Sequence, residues 1–90
     1  MLTKEDLQEM TRLQIEALRE EMVDFLIEHD LLILRKLEHD CNIPQTVLSK
    51  VTRNKIALAK KHMPKLHEAL YHYGYRSKVL NAVNENKFKV

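Results

Sequence analysis

A chain of 90 residues supports one small domain, which buries only ~60% of the surface its unfolded form exposes. One Gly, two Pro and no Trp, with abundant Leu, Lys, Glu and Ala, favour helix and leave few hairpin turns, so the expected fold is all-α with four to five helices. The single cysteine excludes an intramolecular disulfide, and no run approaches the ~18 consecutive apolar residues of a membrane span.

The net charge of +2 conceals a division at the turn between Asn42 and Ile43. Residues 1 to 42 carry five basic and eleven acidic side chains, a net of −6, whereas residues 43 to 90 carry ten basic and two acidic, a net of +8. That asymmetry points the second half at a polyanion and the first half at water or another protein. The opening MLTKEDLQEM is acidic and polar, unlike a secretory signal, and a cytoplasmic location is expected.

Thr3 followed by Asp6 approximates a capping box, so the first helix is expected to open near Lys4. Ile15, Leu18, Met22 and Phe25 recur at three and four, and Leu7, Met10, Leu13 and Leu26 widen the stripe. The spacing predicts one long amphipathic, acidic helix over 1–30, ending near His29. About 25 residues at 1.5 Å each span ~37 Å, more than so small a domain needs to cover itself. Leu7, Met10, Ile15 and Leu18 are therefore the expected contact of a homodimer. Asp30 is the best cap for a second helix opening at Leu31, with a continuous helix from Lys4 to Asp40 as the alternative. Leu31 to Leu34 are four consecutive apolar residues and mark the expected centre of the core.

The stretch LEHDCNIPQTVLSKVTR, Leu37 to Arg53, organises the domain expected over 31–75. Leu37, Cys41, Ile43, Leu48 and Val51 give two helical patterns separated by a break. Asn42 is placed in the left-handed conformation at the turn, and Pro44 in the first turn of the next helix, over 44–54. The order of small residue, turn residue, β-branched apolar residue and helix resembles the helix-turn-helix of the lambda-repressor and Cro-like family, from roughly Leu34 to Gly74. In that family the turn residue is usually glycine and the fifth motif position alanine; here Asn42 and Glu38 stand there.

Asn54 is expected to end the second motif helix, with Lys55 to Lys60 as a connection. A further helix opens near Lys61 or His62, carries Pro64 in its first turn, buries Leu66, Ala69, Leu70 and Tyr73, and stops at Gly74. Over 76–90 a short helix capped by Ser77 is expected, with the last six residues as a disordered tail.

If Leu48 and Val51 point inward, then Gln45, Thr46, Ser49, Lys50 and Arg53 share the outward face. Gln pairs with adenine, Lys and Arg reach guanine, and Ser and Thr contact bases or phosphates, so these types suit a major groove. The family resemblance implies that these positions enter it. Lys55, Lys60 and Lys61, with Lys65 beside them, are the expected phosphate contacts. Tyr71, Tyr73 and Tyr75 form no regular platform for stacking bases and are read as packing residues with a hydroxyl at the surface, with phosphate contact by Tyr71 or Tyr75 as the alternative.

No metal site is expected. His62, His67 and His72 are five apart and turn ~140° per step, and His39 and Cys41 diverge on one helix. Cys41 reads as a small buried residue, and no catalytic constellation, cofactor site or small-molecule site is evident. The resemblance implies a transcriptional regulator, with repression the commoner mode, binding double-stranded DNA as a homodimer. The alternative is a helical protein-interaction module, an inhibitor or virion component, that docks through the acidic first helix.

Overall fold

The computed structural model describes residues 2–29 and 34–88, with side chains described as far as Val83. These residues are all-helical: α1 (Lys4–Glu9), α2 (Arg12–Glu28), α3 (Leu34–Asp40), α4 (Val47–Thr52), a 3-10 turn (Lys60–His62), α5 (Met63–His72) and α6 (Lys78–Phe88). The expected Asp30 cap, the start at Leu31 and most of the Leu31–Leu34 run lie outside the described residues. Leu34 is half-buried.

The long first helix is two helices. Thr3 and Asp6 form the expected capping box, but Thr11 and Gln14 form a second one: the Gln14 N–H donates to Thr11 Oγ1 at 3.2 Å and the Thr11 N–H to Gln14 Oε1 at 2.9 Å. Met10 and Thr11 are extended there (ψ 146° and 162°). The new start satisfies donors that a helix end leaves orphaned, so the break is stabilised locally. It also folds α1 back, and Leu2, Leu7 and Met10 reach the core.

That break removes the surplus length on which the dimer contact rested. Leu7, Met10, Ile15 and Leu18 are 8%, 7%, 5% and 0% exposed within one chain, so none is free to meet a second copy. Leu13, by contrast, is 77% exposed.

α2 is the central strut, packing on α4 and α6, while α3 packs on α4 and α5. Leu18, Met22, Leu48, Leu58, Met63, Leu66 and Leu70 are buried essentially completely, each stabilising the fold by ~1.5–3 kcal/mol relative to exposure. Leu58 lies in the connection after α4, where no periodicity marks it. Pro64 occupies the first turn of α5, and Gly74 follows that helix at φ +97°. Tyr73, expected in the core, is 48% exposed, and Tyr75 is buried instead at 3%. The reason is the left-handed step at Gly74, which turns the chain back so that the Tyr75 N–H closes on the Leu70 carbonyl at 3.0 Å.

Ser77 caps α6 through the Leu80 N–H at 3.0 Å. α6 continues to Phe88, so four of the six residues expected as a disordered tail are helical, and the last two lie outside the described residues.

Candidate nucleic-acid interface

α3 ends at Asp40, and the chain reverses through Asn42 at φ +56°, the left-handed turn its residue type predicts. Cys41 and Ile43 on either side are buried at 3% and 5%. The Ile43 N–H donates to the Glu38 carbonyl at 2.7 Å, closing the turn. Cys41 Sγ donates to the Lys65 carbonyl at 3.6 Å, and burial pushes its thiol pKa up. That contact fastens the turn to α5.

The next helix is shorter than 44–54. Pro44, Gln45 and Thr46 form a turn ahead of it, with Thr46 left-handed at φ +71°, and α4 spans only Val47–Thr52. A left-handed residue cannot continue an α-helix, so Thr46 sets the boundary. Its hydroxyl makes no capping bond. The cap comes from Glu38 on α3, whose side chain is 2% exposed: Oε2 accepts from the Leu48 N–H at 2.8 Å and Oε1 from the Thr46 N–H at 3.3 Å. Glu38 thus has a structural use. A buried carboxylate is tolerable because backbone donors satisfy it. Within α4 it takes the Leu48 donor of the first turn.

α4 ends in a second left-handed residue, Asn54 at φ +61°, with the Lys55 N–H on the Lys50 carbonyl at 2.9 Å and the Asn54 N–H on the Val51 carbonyl at 3.0 Å. This is the expected stop, in Schellman form.

Leu48 and Val51 point inward, at 0% and 3% exposure. Lys50 on α4 and Arg53 at its C-cap are exposed, as are Gln45 and Thr46. The expected base-reading set is therefore divided between a turn and a helix. Ser49 is half-buried, and its Oγ donates to the Thr46 carbonyl at 2.9 Å, leaving the oxygen lone pairs as its free function. Lys55, Lys60, Lys61 and Lys65 are exposed, Lys60 and Lys61 together on the 3-10 turn. Burial, and then the charge of Lys61, hold the His62 pKa below the usual imidazole range.

A second carboxylate, Glu21 on α2, is half-buried, with Oε1 accepting from Tyr75 Oη at 2.7 Å and Ser77 Oγ at 2.5 Å, and Oε2 from the Lys78 N–H at 3.0 Å. Burial, and then this bond, raise the Tyr75 pKa. His67 is buried against Tyr75, ring centroids 5.5 Å apart, and burial lowers its pKa. In sequence Glu21 reads like the other four acids of α2, and the Tyr75–Ser77 pair that it meets lies more than fifty residues away.

No helix of the described residues is long and apolar enough to cross a membrane. Comparison with protein-family models, with curated proteins and with solved structures finds no match for this chain.

Proposed function

We propose that this chain is a sequence-specific double-stranded DNA-binding regulator, a repressor acting as a homodimer, that meets the duplex with the turn at Gln45–Thr46, helix α4 and the lysines that follow. The observation that carries this reading is the segment from Cys41 to His67: six basic side chains and no acidic one, with Gln45, Lys50, Arg53, Lys55, Lys60 and Lys61 all exposed around α4. Polyanion attraction follows from the charge, and base reading from the types at the tip of α4. The resemblance to the lambda-repressor and Cro-like helix-turn-helix supports the same face. Glu38 fixes α4 against α3, which supplies the rigidity that groove docking needs. Lys60 and Lys61 hold phosphates and position the protein. No catalytic step belongs to this reading.

The test separates base reading from phosphate contact on a duplex selected from a random pool. Gln45→Ala should cost ~1–3 kcal/mol on the selected site and little on random duplex. Lys61→Ala should weaken both alike and flatten the salt dependence by about one unit of slope. Unchanged affinity of both variants for the selected site in ~0.15 M salt, with parental melting curves, would move the function to the protein-docking alternative.

A further inference from the structure

Two arginines of the acidic half share one face of the central strut. Arg12 and Arg19 lie seven residues apart on α2, a turn of ~700°, so they stand within ~20° of each other around the helix. With Gln8 of α1, Glu16 of α2 and Lys60 of the 3-10 turn they line one depression. The lining holds three cations and one acid, and that acid, Glu16, is paired with Arg12 Nε at 3.3 Å.

Arg19 is half-buried, and neither ion pair among the described residues uses it. Its Nε is buried without a hydrogen-bond partner. A guanidinium stays charged and carries five donors, so a buried N–H of that kind calls for an acceptor that the chain does not supply. Arg19 also borders a second depression, where it is joined by Thr52 and Asn54 at the end of α4. Glu20 and Asp24 line that second depression, so an anion seats on the Lys60 side of Arg19.

We infer that the depression between α1, α2 and the 3-10 turn is a phosphate site, and that it takes a backbone phosphate of the duplex. Arg19 offers the planar fork that matches two phosphate oxygens, and Lys60 adds a point charge beside it. Phosphate is favoured over a protein carboxylate because Lys60 belongs to the acid-free stretch between Asp40 and Glu68, the polyanion surface proposed above. Through Arg19 that surface continues from the end of α4 onto α2, so the acidic half of the chain takes a part in binding that its net charge conceals. The source of the phosphate rests on the DNA reading, while the site itself is tested without DNA.

Binding of random duplex as a function of salt gives the first measurement. Arg19→Gln should lower the slope by about one unit, as neutralising one fewer phosphate does, and Arg19→Lys should restore it. Lys78→Gln should leave the slope at the parental value, because the Lys78 N–H bonds Glu21, which lies ~200° round α2 from Arg19. In the second measurement, without DNA, inorganic phosphate replaces chloride at constant ionic strength up to about 20 mM, a range suited to millimolar affinity. The Nε–H resonance of Arg19 should shift with phosphate and not with acetate. Lys60→Gln, at an exposed residue, should weaken that shift, which keeps the site testable if Arg19→Gln melts below the parent. A parental slope in Arg19→Gln, with Lys61→Ala lowering it, overturns the seating of the duplex in this groove while the DNA reading stands. A parent that binds no duplex overturns the DNA reading and the source of the phosphate with it. An Arg19 resonance that ignores phosphate, or answers acetate equally, overturns the site itself.

Discussion

Two helices of the basic half begin on carboxylates that the acidic half supplies, and they are held in different ways. Glu38 reaches α4 from only ten residues away, is buried, and spends its two oxygens on the backbone N–H groups of Thr46 and Leu48. Glu21 reaches the start of α6 from more than fifty residues away, is half-buried, and gathers two hydroxyls and the Lys78 N–H. The first clamp fixes one helix against its sequence neighbour; the second ties the end of the chain to the central strut. Burial decides how much each matters, because water can replace a lost partner at Glu21 and cannot at Glu38.

The largest expected effect is therefore at Glu38. Glu38→Ala removes two charge-assisted bonds, leaves the Leu48 N–H buried without an acceptor and opens a void, costing ~2–4 kcal/mol. Glu38→Gln keeps one acceptor and should fall between Ala and the parent. Chemical denaturation checks both, and equal stability of Ala and parent would remove Glu38 as the fastening of α4.

At Glu21 the same truncation should cost ~1–2 kcal/mol, since the freed hydroxyls and N–H are solvated in part. Its signature is location: amide exchange should rise in α6 and at Tyr75 while α3 and α4 keep their protection. Uniform acceleration across the chain would mean that the two clamps act as one unit.

The smallest effect has the opposite sign. Thr46 is β-branched and left-handed, which costs ~1–2 kcal/mol against a right-handed conformation. Its backbone holds the Glu38 bond, but its hydroxyl caps nothing. Thr46→Gly should stabilise the fold by ~0.5–1 kcal/mol net, because relief of strain exceeds the added entropy of the unfolded chain. If the Thr46 hydroxyl touches DNA, the same variant binds the selected duplex more weakly while melting higher, as strain kept at a functional site predicts. Lower melting would show that the turn is not strained.

The sequence by itself determined the all-helical class, the left-handed turn at Asn42, the stops at Asn54 and Gly74, the caps at Thr3 and Ser77, and the inward set Ile43, Leu48 and Val51. Each depends on residues within four or five positions, where backbone sterics and helix period act directly. Thr11–Gln14 was equally local, but the apolar stripe runs through it without interruption and the period masks the cap. Tertiary structure decided the rest. Whether Leu7 and Met10 face a second copy or their own core depends on how α1 folds back. Whether Tyr73 or Tyr75 is buried depends on the direction taken after Gly74. The use of Glu38 and Glu21 depends on which helix end each carboxylate meets, since a glutamate on a helix reads alike in sequence whether water or a buried N–H lies within its reach.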